Sequence, residues 1–407
     1  MSQDWRASLF ARRTLGVRLG TASLAAVLDR LLPGLRERPP FSVTQIVGTN
    51  GKGSSAALLD HGLRRSSLGP VGLYTSPHLL RVGERVRIDG EAIDDEEIRA
   101  GVEAVARAEA AAGVSLSFFE VLSAVALDRF VAAGCRHVVL EAGLGGRLDA
   151  TSAVAREQVL ISRIALDHQH FLGDSIAAIA AEKAAVIVPG VPVASVEQLD
   201  QARAVIEQVA SQRGAPLSFV APLEREPIGL LGEHQRHNAA LALAGLRRLV
   251  PEARIEHLDG VRWPGRLERR TLAGGELWLD VAHNLDGVEA LCAAVAQLGI
   301  RPAVIVFGAM ADKPAPAMAE RLRTLGPLWL VPPAAEGAHE LEALALPGDR
   351  RFAGPADPAL LEDLHERLTA GERVLVCGSH FLVGALTLAL EGSGAGAPEP
   401  GDPLPRG

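Results

Sequence analysis

Several features are scarce in this chain of 407 residues, and each scarcity excludes a class of protein. It has three cysteines, far apart and without a Cys-x-x-Cys pair, so neither a disulfide framework nor a cysteine zinc site is expected. Basic residues number 41 against 49 acidic ones, and the resulting net charge of −8 argues against a dedicated nucleic-acid binder. No apolar run approaches the roughly 18 residues of a membrane span. We therefore expect a globular, cytoplasmic protein with neither nucleic acid nor membrane as a partner, and a monomer by default.

Lysine is also scarce, because Lys52, Lys183 and Lys313 are the only lysines among the 41 basic residues. Such a bias is typical of a GC-rich genome, in which a replaceable surface lysine drifts to arginine. Lysine carries a compact amine that can lose its proton, whereas the arginine guanidinium stays charged. The three lysines are therefore candidates for sites that need an amine, with chance survival as the alternative.

Short apolar runs alternate with helical patterns along most of the chain, which predicts parallel sheets covered by helices on both faces. The chain is also too long for one ordinary core. Trp263-Pro264-Gly265 breaks the pattern after a long helical region. We therefore predict a larger α/β domain over 1–262, a smaller Rossmann-like α/β domain over 263–391, and a disordered Gly/Pro-rich tail over 392–407. The predicted strands cover 42–47, 137–140, 159–164, 192–196, 277–279, 303–307, 328–331 and 373–377, and the predicted helices include 22–33, 96–112, 119–133, 235–249 and 287–298.

A glycine-rich segment follows the first predicted strand and precedes a helical stretch. It reads Gly48-Thr49-Asn50-Gly51-Lys52-Gly53-Ser54. A strand, a glycine-rich turn and a helix N-terminus form a phosphate cradle, because backbone N–H groups and the helix dipole attract an anion that a lysine can also reach. The strict Walker pattern is not met, since its first glycine would fall at Ile46. The context nevertheless predicts that the larger domain is a P-loop mononucleotide-binding domain with a parallel sheet.

This glycine-rich segment resembles the nucleotide loop of the Mur ligase superfamily, and specifically of its folylpolyglutamate synthase/dihydrofolate synthase branch. The resemblance continues in the family's order from about residue 14 to residue 390. It is carried by ten further motifs, at 74–79, 84–88, 118–120, 141–151, 166–168, 182–184, 234–239, 263–268, 280–284 and 312–313. Any one of these strings is weak, whereas eleven in order are highly specific.

The resemblance implies an ATP-dependent ligase that adds L-glutamate to dihydropteroate, to reduced folates, or to both. The reaction would activate a carboxylate as an acyl phosphate, which the α-amino group of glutamate then attacks to form an amide. ATP and two Mg²⁺ sites are the implied cofactors, and metal ions neutralise much of the charge in phosphoryl transfer. The residue types do not decide which acceptor is used, and a Mur-superfamily amide ligase acting on another carboxylate is the alternative.

Two rival functions are less consistent with the sequence. Cell-wall Mur ligases carry a nucleotide-sugar domain before the phosphate loop, and the 47 residues that precede Gly48 are too few for one. A regulatory GTPase should contain an Asn-Lys-x-Asp string, which this sequence lacks. A switch protein also has no evident use for a second α/β domain.

The resemblance also implies roles for individual residues. The expected catalytic residues are Lys52, Lys183 and His283. ATP binding is implied for Thr49, Asn50, Gly51, Lys52, Gly53, Ser54, Asn238, Arg266 and Asp280. Metal binding is implied for Ser76, Glu141, His168 and, as a carbamate formed from CO₂, Lys183. Binding of the pterin-bearing substrate is implied for Leu19, Gly20, Thr21, Phe118, Phe119, Glu120, Val121, Leu148, Asp149 and Ala150.

The residue types are compatible with the implied metal sites. Glu141 and His168 each follow a predicted strand, and open α/β sheets bind ligands at the carboxyl ends of their strands. A carboxylate oxygen, an imidazole nitrogen and the hydroxyl of Ser76 could share one Mg²⁺ with phosphate oxygens. A lone histidine after a strand is otherwise a hydrogen-bonded core residue. Lys183 can lose its proton and form a carbamate, which arginine cannot do.

Overall fold

The structure is a computed structural model that describes residues 4–15 and 20–391. Its strands are β1 (Ser42–Val47), β2 (Val71–Tyr74), β3 (Val86–Ile88), β4 (Glu91–Ala92), β5 (His137–Glu141), β6 (Gln158–Ile161), β7 (Val193–Val196), β8 (Leu217–Val220), β9 (Glu268–Leu272), β10 (Gly275–Leu279), β11 (Val304–Phe307), β12 (Leu328–Leu330), β13 (Arg350–Arg351) and β14 (Arg373–Cys377). Its α-helices are α1 (Trp5–Ala11), α2 (Ala22–Leu31), α3 (Lys52–Arg65), α4 (Asp95–Ala112), α5 (Phe118–Ala132), α6 (Gln169–Leu172), α7 (Ile176–Ala184), α8 (Asp200–Gln212), α9 (His234–Arg247), α10 (Leu285–Gln297), α11 (Ala315–Arg323), α12 (Pro358–Thr369) and α13 (His380–Glu391).

The strands form two sheets, one in each predicted domain. The first has the order β4-β3-β2-β5-β1-β6-β7-β8, and its neighbours from β2 to β8 are parallel. The second has the order β13-β12-β11-β14-β10-β9, and only its edge strand β9 is antiparallel. The antiparallel strands β3 and β4 extend the first sheet at one edge. The two predicted α/β domains are therefore present, with antiparallel strands added at the sheet edges.

The first sheet is buried on both faces because successive apolar residues of its strands point to opposite sides. In β5, Val138 and Leu140 pack in the same core as α4 and α5. Between them, Val139 packs in the opposite core with α3 and α9. The two cores hold the sheet rigidly and fix the carboxyl ends of β1, β5 and β6 side by side.

The second sheet is sandwiched in the same way. Leu277 and Leu279 of β10 pack toward α12 and α13, whereas Trp278 packs toward α10 and α11. All three cysteines are buried free thiols. Among the described residues, no helix is long and apolar enough to cross a membrane.

Each predicted strand and helix is found, with ends displaced by a few residues. The strand expected over 159–164 is β6 and stops at Ile161, and the helix expected over 22–33 is α2 and stops at Leu31. The predicted boundary after residue 262 falls in the connection that leads to β9, and its exact position stays a prediction. The tail predicted over 392–407 lies outside the described residues.

Candidate active site

The phosphate loop joins β1 to α3, and its shape requires glycine at two positions. Gly51 has a φ of 86°, and a Cβ there would lie 2.1 Å from Oδ1 of Asn238. Gly48 has a φ of 150°, and a Cβ there would lie 1.9 Å from Oγ of Ser162. The backbone therefore turns in a conformation that favours glycine, and it does so where another side chain leaves no room.

The loop is anchored to the segment that follows β6. The backbone N–H groups of Thr49 and Asn50 both donate to the carbonyl of Arg163, at 2.8 and 3.1 Å. Lys52 is the first residue of α3, and its Nζ donates to the carbonyl of Thr49 at 3.1 Å. A cation thus lies at a helix N-terminus, where backbone N–H groups already favour phosphate.

Glu141 ends β5 and faces this loop. Its Oε2 accepts the backbone N–H of Ser76 at 3.1 Å. Burial raises the pKa of the carboxyl, and the charges of Lys52 and Arg266 oppose that shift. Carboxylate oxygens are ligands that a divalent metal ion prefers, and such an ion would favour the ionised carboxylate as Lys52 and Arg266 do.

His168 and Lys183 complete the side of the cavity that lies beyond β6. His168 has a φ of 49°, and its Nδ1 is buried without a hydrogen-bond partner among the described residues. Burial lowers the pKa of His168 to about 4 despite the neighbouring Asp167 carboxylate. Lys183, on α7, is 4% exposed, and its Nζ donates to the carbonyl of Gly48 at 2.7 Å. Burial and the charge of Lys52 lower its pKa to about 7, so a neutral amine is accessible near neutral pH.

The predicted metal ligands are of the right chemical kinds for a divalent cation. The buried carboxylate of Glu141 accepts the backbone N–H of Ser76. Nδ1 of His168 has no hydrogen-bond partner among the described residues, so its lone pair could bind a metal ion. No three His, Cys, Asp or Glu side chains converge as a metal cluster in residues 4–15 and 20–391, so phosphate oxygens, water and the Lys183 carbamate would have to supply the remaining ligands. The ligand assignment stays a prediction.

The second domain contributes Arg266, Asp280 and His283. Arg266 lies near the start of α3, because a Cβ on Gly53 would be 3.6 Å from both Nη2 of Arg266 and Oε1 of Glu141. Asp280 accepts the backbone N–H groups of Leu267 and Ala282, each at 2.8 Å, so it fixes the loop on which Arg266 sits. Burial raises the pKa of Asp280, and Arg266 opposes that shift. Nδ1 of His283 donates to the carbonyl of Val281 at 2.9 Å, which fixes its ring.

One cavity of about 610 Å³ lies between the two domains and brings most predicted site residues together. All the residues expected to bind ATP or metal line it, as does His283. Among the residues expected to bind the pterin-bearing substrate, those that line it are Phe119, Glu120, Leu148, Asp149 and Ala150.

The other residues expected to bind the pterin-bearing substrate lie elsewhere. Phe118 and Val121 are fully buried in the core, and Phe118 stacks on Phe10. Gly20 and Thr21 do not line the cavity, although the N–H of Gly20 donates to the carbonyl of Leu148 at 3.0 Å. Leu19 lies outside the described residues.

Two of the cavity residues have structural partners that the sequence did not suggest. Both oxygens of Asp149 accept hydrogen bonds from the loop 143–151, at 2.6 to 3.0 Å, so its carboxylate shapes that loop. Glu120 accepts the backbone N–H and the hydroxyl of Ser117, which makes it the capping-box partner at the start of α5. Each can position the cavity wall without contacting a ligand.

Sequence reasoning gave no role to several polar residues at the domain interface. Asp167 and Asn284 are hydrogen-bonded at 2.9 Å, Lys313 contacts Asp167 at 2.6 Å, and Asp286 contacts Arg163 at 2.6 Å. Asp167 and Asn284 stand inside recognised motifs, and the scarcity of lysine singled out Lys313. No local pattern could have shown that these residues meet.

The chain is similar to known ligases over nearly its whole length. A family model described as Mur ligase, glutamate ligase domain, matches residues 265–380. The folylpolyglutamate synthase of Lacticaseibacillus casei is 31% identical over 392 residues, which cover 85% of this chain and 89% of that protein. The chain spans about half the length, 49%, of two further curated relatives to which it is 33% identical.

Two solved structures share this architecture. E. coli FolC in complex with DHPP and ADP superimposes with a TM-score of 0.85 at 27% identity, over 96% of this chain and 98% of that one. The bifunctional folylpolyglutamate synthase/dihydrofolate synthase from Yersinia pestis, complexed with AMPPNP and Mn ion, gives a TM-score of 0.82 at 29% identity, over the same shares of the two chains. The predicted pair of α/β domains and the resemblance found in the sequence are thereby confirmed. The chain belongs to the folylpolyglutamate synthase/dihydrofolate synthase family.

Proposed function

We propose that this chain is an ATP-dependent ligase that joins L-glutamate to dihydropteroate, to reduced folates, or to both. The observation that carries the proposal is the meeting of Lys52, Glu141 and Arg266 at the start of α3, in a cavity lined by both domains. The first domain supplies the phosphate loop, and the second supplies an arginine at the same point. A nucleotide is therefore fully enclosed only when the two domains are together.

The chemistry requires two anions and an amine in one place. A carboxylate oxygen of the acceptor attacks the γ-phosphorus of ATP, ADP leaves, and an acyl phosphate forms. The α-amino nitrogen of glutamate then attacks the acyl carbon, phosphate leaves with the bonding electron pair, and the nitrogen loses a proton to give the amide. Lys52 and Arg266 would neutralise charge on the phosphates, and His283 at the domain interface is the proposed proton acceptor.

A divalent cation fits beside Glu141, and a second fits beside Lys183 as its carbamate. When bound, such ions neutralise the triphosphate and align it for in-line attack. Burial of Lys183 favours the neutral amine that reacts with CO₂. At Glu141 the charges of Lys52 and Arg266 favour the ionised carboxylate that a metal ion needs. We also propose a monomeric, cytoplasmic enzyme, for which the composition is the support.

The test is ADP release with Mg-ATP and L-glutamate, offering dihydropteroate and tetrahydrofolate in separate assays and determining each product mass. Turnover with dihydropteroate places the chain in the synthesis of dihydrofolate, and turnover with tetrahydrofolate makes it a polyglutamylating enzyme. No turnover with either acceptor, despite ATP binding, would contradict the proposal. It would then favour a Mur-superfamily ligase with another carboxylate acceptor.

A further inference from the structure

Asp167 and Lys313 form a buried ion pair between the two domains that the reaction outlined above does not use. Nζ of Lys313 lies 2.6 Å from Oδ1 of Asp167, and the two side chains are 7% and 6% exposed. Asp167 follows β6 of the first sheet, whereas Lys313 stands between β11 and α11 of the second domain. The pair therefore joins the domains directly beside the candidate active site.

The ion pair continues into a network that ends on the phosphate loop. Nδ2 of Asn284 donates to Oδ2 of Asp167 and to Oδ1 of Asn50, both at 2.9 Å. Nδ2 of Asn50 donates in return to Oδ1 of Asn284 at 3.0 Å and to Oδ2 of Asp286 at 2.8 Å. The side-chain amide of Asn50, in the phosphate loop, is thus hydrogen-bonded to Asn284 and Asp286 at the start of α10.

The same network includes the loop that carries His283. Nε2 of His283 lies 3.5 Å from Oδ2 of Asp167, and Asn284 caps α10 by accepting the N–H of Gly287 at 2.8 Å. Asp167 thus contacts the second domain through three side chains, those of His283, Asn284 and Lys313. A displacement of Asp167 or Lys313 would move this loop relative to the phosphate loop.

We propose that Asp167 and Lys313 are positioning residues that hold the loop Asp280–Asn284 against the phosphate loop at one fixed spacing. The catalytic consequence rests on the proposed function, since the phosphate loop would hold ATP and the second domain would present the amine. A misplacement of about 1 Å between reacting groups can cost roughly 100-fold in rate. The pair would therefore act on turnover, and also on nucleotide affinity, because Arg266 reaches the phosphate loop only when the domains are together.

The test uses Lys313→Met, Asp167→Asn and the double variant in the full chain. Removing one partner leaves a buried charge uncompensated, whereas removing both leaves none. We expect both single variants to lose roughly 100-fold in kcat. We also expect the KM for ATP to rise, because Arg266 moves away from the phosphate loop together with the second domain. We expect their radius of gyration by small-angle X-ray scattering to increase, because the domains separate. The double variant should regain thermal stability relative to Lys313→Met while its kcat stays low.

Arg323→Met is the matched control, since it breaks a half-buried ion pair with Asp349 inside the second domain. It should lower the melting temperature without changing the radius of gyration. The proposal is overturned if kcat recovers together with stability in the double variant, if Arg323→Met loses as much turnover, or if neither single variant changes scattering. The scattering measurement tests the positioning role even if the chain shows no ligase turnover. If Lys313→Met does not fold, Asp167→Asn takes its place, because asparagine preserves the shape of the side chain.

Discussion

At the scale of single residues, burial gives the cavity its chemical character. Burial raises the pKa of Glu141 and lowers the pKa values of His168 and Lys183. Each shift favours the neutral form of the side chain, because its surroundings exclude water. Such shifts cluster at functional sites. A neutral imidazole suits metal binding and a neutral amine suits carbamate formation, whereas Glu141 depends on Lys52 and Arg266 to favour its ionised form. The three lysines that the composition singled out all line the cavity, so their scarcity did point to the site.

We predict that Lys183→Arg keeps the fold and ATP binding but loses at least about 10–100-fold in turnover. Arginine keeps a positive charge and cannot form a carbamate. The measurement is steady-state ADP release beside ATP binding by calorimetry. Lys183→Ala with added formate or acetate provides the control, because a free carboxylate can partly replace a carbamate. An Arg variant that turns over like the original chain would exclude the carbamate role.

We predict that Gly51→Ala weakens ATP binding about 10-fold or more, which is ~1.4 kcal/mol. The new Cβ would collide with Asn238 in a left-handed backbone conformation, so the loop must change shape. Gly134→Ala is the matched control, because Gly134 also has a positive φ but has open space around it. It should cost roughly 1 kcal/mol of stability and leave ATP affinity unchanged. Equal affinity in both variants would contradict the proposed loop geometry.

At the scale of elements, the long helices and central strands were predictable, and the edge strands were not. β5 and β11 contain short apolar runs, 138–140 and Val304–Phe307, that are buried on both faces, which is the pattern expected of a parallel sheet. β4 and β13 have two residues each, all exposed, so they carry no apolar signal. They form because the backbone of a neighbouring strand pairs with them. A short stretch of sequence does not show which strand will lie beside it.

Asp60 on α3 gives a prediction about stability. It is 2% exposed, and burial raises its pKa to about 6 although Arg64 donates to its Oδ2 at 2.9 Å. Because the pKa in the folded state is above the unfolded value, the contribution of Asp60 to stability is most favourable below about pH 4 and is lost as the pH rises through about 6. Asp60→Asn should therefore be more stable by roughly 1–3 kcal/mol at pH 8 and nearly unchanged at pH 4.

Urea unfolding of both forms at the two pH values measures this difference. Asp200→Asn is the control, because Asp200 is exposed and should change stability by no more than about 0.5 kcal/mol at either pH. An Asp60→Asn variant that is less stable at pH 8 would mean that the buried carboxylate is stabilised by its cationic neighbours.

At the scale of the whole molecule, the site is a property of two domains in contact. The phosphate loop could be recognised from residues 48–54, but its bond to Asn284 joins positions that are 234 residues apart. Only the packing of the two domains brings them together. Local sequence patterns can therefore predict the phosphate loop, but they cannot predict which residues of the second domain contact it. For the same reason Phe118, in a recognised motif, was expected at the ligand and instead lies in the core.

The central claim is that the cavity activates a carboxylate with ATP before an amine attacks it. The most direct measurement uses an acceptor whose carboxylate oxygens are labelled with a heavy oxygen isotope, in a complete reaction with Mg-ATP and L-glutamate. Mass analysis then follows the label into the released phosphate. An acyl phosphate predicts that each phosphate carries one labelled oxygen and that the amide product keeps the other. Phosphate without label would show that water attacked ATP, and it would contradict the account.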